Sequence, residues 1–98
     1  MNKPGALETP DEVENVLATL IGPTAAALKW GPTPRAQYYH VFKKVVGVDT
    51  EFILVGSPAD LDFTLEGLPA NSTVEIYVTA VNNGGESAIS ETITLVTH

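Results

Sequence analysis

Cysteine is absent from this chain, which excludes disulfides, thiolate metal sites and cysteine nucleophiles and leaves redox compartment unread. Basic residues are scarce, five against twelve acidic ones, for a net charge of −7. A field of that sign repels phosphate backbones and anionic lipid, so nucleic acid and membrane surfaces are poor partners. No apolar run reaches the length of a bilayer span, and the opening stretch "MNKPGALETPDEVEN" holds no run of signal-peptide length. Membrane insertion is therefore not expected.

Histidine is almost missing too: His40 and His98 are the whole supply. A nucleophile, a base and an orienting group must meet in a cleft to make an active site. His40 falls in the middle of a strand-like stretch, His98 ends the chain, and no serine sits in a nucleophile-elbow motif. The sequence offers no catalytic residues, and no cofactor or metal is expected. Asp60 and Asp62 form a carboxylate pair, but that spacing is what the wet face of a strand produces. Asn71-Ser72-Thr73 matches a glycosylation pattern, yet these residues also suit a turn for their local hydrogen bonds.

What is present is a compact-domain composition. Ninety-eight residues, 44% hydrophobic and 17% charged, fit one globular domain with a core of its own. Residues 1–9, broken by Pro4 and Gly5, read as a flexible tether, and residues 10–98 as the domain.

The stretch "TPDEVENVLATLIGP" carries two competing patterns. Thr9, Pro10 and Glu12 make a helix start with a capping box, and Val13, Val16, Leu17 and Leu20 recur at helical spacing. The alternative is a strand over about residues 15–20, with Val16, Ala18 and Leu20 on one face. Local signals alone favour the helix. Beyond it, "AAALKW", "YYHVFKKVV", "EFILVG", "LDFTLEGL", "VEIYVTAVN" and "ETITLVT" are short, alternating and rich in β-branched or aromatic residues. Between the last two, Asn83-Gly84-Gly85 is a hairpin signal, because Asn and Gly accept the positive φ of a tight turn. Strands at this spacing indicate an antiparallel sandwich or barrel.

Four pieces carry a family resemblance: "LKW", "YHVFKK", "EGLPANST" and "YVTAVNNGGES". In this order and spacing, over residues 10–97, the chain resembles a fibronectin type III domain, most like versions found in multidomain bacterial surface and secreted proteins. The resemblance implies an all-β, seven-stranded antiparallel β-sandwich of immunoglobulin-like order. It also turns the ambiguous stretch into the first strand, with the capping box surviving as one short turn ahead of it.

The expected core is Trp30, Leu28, Tyr39, Val41, Leu61, Phe63, Leu65, Ile76, Val78 and Ala80. One departure stands out. The family's corner tyrosine falls six residues after the position of Leu68, and here that place is Val74. Packing of Leu68 and the stiffness of Pro69 are expected to hold the corner instead.

The implied function is non-catalytic: an accessory module of a larger extracellular or cell-surface protein, acting as spacer or interaction domain beside neighbouring domains of the same chain. It is expected to be a monomer. The alternative is a specific protein- or polysaccharide-binding module. Its candidate face is Tyr38, Phe42 and Tyr77, outward by alternation on adjacent strands with Phe52 or Ile53 beside them, together with Arg35 in the loop "GPTPRAQ". The loop at residues 82–86 lacks the Arg-Gly-Asp that some family members carry there, so receptor binding of that kind does not transfer.

Overall fold

The computed structural model describes residues 9–97. Of the tether expected over residues 1–9, all but Thr9 lies outside them, as does His98. Eight strand segments run in order: β1 (Leu17–Gly22), β2 (Ala25–Lys29), β3 (Tyr38–Val45), β4 (Ile53–Gly56), β5 (Asp62–Leu65), β6 (Thr73–Asn82), β7 (Gly85–Glu86) and β8 (Ile93–Val96). They form two antiparallel sheets: β1-β2-β5, and β4-β3-β6 with β7 and β8 both lying along the far side of β6.

β7 and β8 are two ends of one edge strand. Between them the ladder is kept by serine side chains. Ser87 N–H donates to Ala80 O at 2.8 Å while its Oγ accepts the Ala80 N–H at 2.9 Å. Ser90 repeats this with Val78, at 3.0 and 2.9 Å. Each hydroxyl then donates to the next residue's carbonyl, Ala88 or Glu91. Both serines are buried, so their hydroxyls satisfy amides of β6 that would otherwise be orphaned. Counted this way the sandwich has seven strands, as expected.

The competition over residues 9–21 resolves against the helix. Residues 9–16 form neither helix nor turn, so no capping turn precedes the strand. Asn15 takes a φ of 60°, which asparagine tolerates, and the chain then enters β1. Val13 and Val16 are buried, and Ala18 and Leu20 pack against the core, whereas Leu17, Thr19 and Ile21 face out. The tertiary demand to cover β2 overrides a local helix signal.

The core lies between the sheets. β2 contributes Ala26 and Leu28 and is followed by Trp30, whose ring tilts against Tyr39 at 5.4 Å between centroids. β3 and β6 supply Tyr39, Val41, Val45, Val74, Ile76, Val78 and Ala80. Phe63 is only half-buried, but its ring passes beneath Gly56 so closely that a Cβ there would stand 2.5 Å from it. A side chain at that crossing would have to displace the Phe63 ring. Leu61 corrects the expected core: it is 40% exposed, because it lies in the bend before β5, where alternation has not yet begun.

The corner without a tyrosine is held by the far end of the chain. Leu68 is buried, as expected, and its N–H reaches Thr24 O at 2.9 Å. The tie itself comes from Thr97. Its hydroxyl donates to Pro69 O at 2.6 Å and accepts the Ser72 N–H at 2.8 Å, while its own N–H donates to Ser72 O at 2.8 Å. Thr97 is 2% exposed, so these bonds are shielded from water. Replacing Thr97 by Val keeps the shape but strands the Ser72 amide and the Pro69 carbonyl. Urea unfolding should show a loss of about 1–3 kcal/mol, with Thr97→Ser retaining most of it; a Thr97→Val chain as stable as the parent would contradict the clamp.

Candidate functional site

β3 and β6 pair over eight positions, from Tyr38 opposite Val81 to Val45 opposite Val74. Side chains alternate across a sheet, so a register that sends Tyr39, Val41 and Val45 into the core sends Tyr38, His40, Phe42 and Lys44 outward. Opposite them on the same face stand Val81, Thr79, Tyr77 and Glu75. Three of the four expected site residues thus come together.

Phe42 and Tyr77 are a directly opposed cross-strand pair, stacked at 4.8 Å between centroids with 27° between ring planes. Phe52 tilts against the other side of the pair, 4.6 Å from Tyr77, and Lys44 Nζ lies 5.9 Å from the Phe52 ring centre. Along β3, Tyr38 meets His40 edge-on at 5.5 Å, and His40 meets Phe42 at 6.0 Å. Of the two neighbours expected beside the cluster, Phe52 joins it. Ile53 has the opposite parity, and it is Leu54 that stands opposite Phe42. Aromatic pairs of this geometry stabilise a sheet by about 0.5–1.5 kcal/mol beyond their buried area.

A polar group borders the aromatic row. Glu86 Oε2 lies 3.2 Å from His40 Nδ1 and accepts a hydrogen bond from the Thr79 hydroxyl. Glu86 was not legible as a member of this face from alternation along its own segment. Its place follows from the tight turn: Asn82 faces Gly85, so Glu86 must face Val81 and share its side of the sheet. The turn is locked by the Asn82 side chain, whose Oδ1 accepts the Gly84 N–H at 2.6 Å, and Gly85 takes a φ of 133°. That reading of residues 82–85 as a chain reversal matches the structure.

Arg35 is not part of the row. It sits in the β2–β3 loop with a φ of 69°, held there by Asn82 Nδ2 donating to its carbonyl at 3.1 Å. Its guanidinium pairs with Asp11 at 3.0 Å, both side chains well exposed, a contact that strengthens the fold little. Trp30 is buried in the core rather than presented to a ligand.

The Tyr77 phenol is held above its ordinary pKa, first because burial disfavours the phenolate and second because the Glu86 carboxylate repels it. A raised folded-state pKa stabilises the fold below the unfolded tyrosine's value of about 10, and that contribution is lost as pH rises through the folded value. Following the Tyr77 ring carbons by NMR titration, Glu86→Gln should lower the midpoint while leaving it above about 10, since burial persists. A midpoint unmoved by the substitution would place the repulsion elsewhere.

No protein-family model matches the chain, and no curated protein matches it in sequence. Solved structures match it in shape. The FN5 domain of Drosophila Lar is 25% identical, with a TM-score of 0.77 over 91% of this chain and 97% of that one. A fibronectin type III domain derived from the human KIAA0970 protein is 20% identical, with a TM-score of 0.75 over 87% and 72%. The titin kinase with its flanking domains is 21% identical, with a TM-score of 0.81 over 93% of this chain but 18% of that much longer one. Domains of this fold occur beside neighbours in multidomain chains, in extracellular or surface proteins and in intracellular ones, and are generally non-catalytic. Two antiparallel sheets packed face to face in immunoglobulin-like order, matched in shape by these domains, give this chain the fibronectin type III fold.

Proposed function

We propose that the domain is a non-catalytic module of a larger bacterial extracellular or cell-surface protein, where it holds neighbouring domains a fixed distance apart. The observation that supports this reading is where the two ends of the described chain are fastened. On the N-terminal side, the Thr9 methyl lies against Gly85, Asp11 pairs with Arg35, and Glu14 O accepts the Gly31 N–H at 3.1 Å. All of these lie at the Asn82 end of β6. On the C-terminal side, Val96 pairs with Thr73 and Thr97 clamps Ser72, at the opposite end of the same strand. The ten residues of β6 span roughly 33 Å at about 3.3 Å per residue. Both ends are tied to the sandwich, so a pull on one is carried along β6 to the other.

The second reading is a protein- or polysaccharide-binding module working through Tyr38, Phe42 and Tyr77. The half-exposed row favours it, but the mutual stacking of Phe42 and Tyr77 covers one face of each ring, and sugar recognition needs free ring faces. A cross-strand stabilising role accounts for the same geometry.

Because the chain has no cysteine, Glu12→Cys and Val96→Cys, both at exposed positions, give two unique spin-label sites. Pulsed dipolar spectroscopy should return one narrow distance distribution centred at about 3–4 nm, the length of β6 plus linkers. A broad distribution, or one centred below about 2 nm, would remove the basis for a spacer.

A further inference from the structure

Asn83 and Gly84 form the tip of the β6–β7 hairpin, and both are exposed. The side-chain carbon Cγ of an asparagine is electrophilic and lies one bond short of a five-membered ring with the backbone nitrogen of the next residue. Closing that ring needs a nitrogen that its own side chain does not crowd, and glycine has none. Among the four described asparagines this one stands apart. Asn15 precedes Val16, whose branched Cβ crowds the amide between them. Asn71 precedes Ser72, whose N–H is committed to Thr97 Oγ1 at 2.8 Å. Asn82 is only 6% exposed and precedes Asn83. Asn83 alone is exposed, in a turn and followed by glycine.

We propose that Asn83 is a site of spontaneous deamidation and that the Asn82 side chain sets its rate. Hydroxide takes the proton from the Gly84 nitrogen, which attacks Asn83 Cγ. The Cγ–N bond of the carboxamide breaks, and ammonia leaves with a proton from water, which restores the hydroxide and leaves a succinimide. A second water opens the ring at either carbonyl, giving aspartate or isoaspartate with no change of oxidation state. The nucleophile in this step is the group that Asn82 holds: the Gly84 N–H donates to Asn82 Oδ1 at 2.6 Å. Asn82 is itself anchored, its Nδ2 donating to Arg35 O at 3.1 Å. While the first bond stands, the proton that must leave is held and the turn is fixed in one conformation. Reaction therefore proceeds from openings of the turn, and its rate follows how often they occur.

The products act on the structure next to them. The two-residue turn sets the pairing of Asn82 with Gly85 and of Val81 with Glu86. Isoaspartate routes the main chain through Cβ, and the extra backbone atom strains that pairing and the hold of Glu86 on Thr79 and His40. Either product also places a new carboxylate three residues from Glu86 and makes the net charge more negative than −7. The change falls where the Thr9 methyl meets Gly85, so it loosens the N-terminal fastening.

Incubation of the folded chain at neutral and mildly alkaline pH tests this, read by fragmentation mass spectrometry of its peptides and by isoaspartate-specific methyl transfer. Aspartate and isoaspartate should accumulate at Asn83 ahead of Asn15, Asn71 and Asn82, faster at the higher pH and faster again in the urea-unfolded chain. Asn82→Ala removes the acceptor and should speed the folded-state reaction about two- to tenfold, the effect of losing one hydrogen bond. Asn82→Asp keeps an acceptor for the Gly84 amide and should stay near the parent rate. If Asn82→Ala does not keep the parent's NMR dispersion, hydrogen exchange of the Gly84 amide in the parent serves instead. Folding should slow that exchange and the deamidation by the same factor. A folded chain in which Asn83 reacts no faster than the other asparagines overturns the site. A folded Asn82→Ala chain that reacts at the parent rate, or a mismatch between the two factors, overturns the role of Asn82.

Discussion

The antiparallel pairing of β3 with β6 is the constraint on which the other features depend. Its register sorts sixteen side chains onto two faces in one step. Inward go the residues that close the core under Trp30 and Leu28, with Val41, Ile76 and Val78 fully buried. Outward goes the row in which Phe42 and Tyr77 meet directly. A slip of β3 by one residue against β6 would turn β3 over, burying Lys44 and exposing Val41. The stacked pair outside therefore helps to fix the register that the core inside requires.

Each end of this strand pair is closed by a side chain that does the work of backbone. At one end Asn82 binds the tight turn through its carbonyl oxygen and the β2–β3 loop through its amide nitrogen. At the other, Thr97 gathers Pro69 and Ser72, standing in for the tyrosine that such domains usually place at Val74. Along the side, Ser87 and Ser90 carry the ladder across a stretch where the edge strand leaves regular pairing. A buried hydroxyl or carboxamide in each place satisfies groups that water cannot reach, which is why so short a chain holds its shape without disulfides.

Much of this was legible in the sequence, and the reasons differ by element. Strict alternation in "YYHVFKKVV" and "VEIYVTAVN" gave both faces of the central pair, including the meeting of Tyr38, Phe42 and Tyr77. Asn83-Gly84-Gly85 gave the reversal. The first strand was harder, because Pro10, Glu12 and the spacing of Val13, Val16 and Leu17 describe a helix that only the uncovered flank of β2 forbids. Leu61 was misplaced because alternation says nothing about where a strand begins. Thr97 and the two serines were beyond local reading. Their partners lie 25 and 28 residues away for Thr97 and 7 and 12 residues away for Ser87 and Ser90, and a hydroxyl's role is set by what the fold brings to it.

The proposed mechanical role and the outer aromatic face both presume that β3–β6 is the last part of the molecule to open. Native-state hydrogen exchange measures this directly. The account predicts that the most protected amides belong to the centre of this pair, at Val41, Ile76 and Val78, and that they share one opening free energy equal to that of global unfolding. If amides of β1 and β2 outlast them, or if the β3 amides exchange through a local opening well below the global value, the pairing is not the element that holds the fold together.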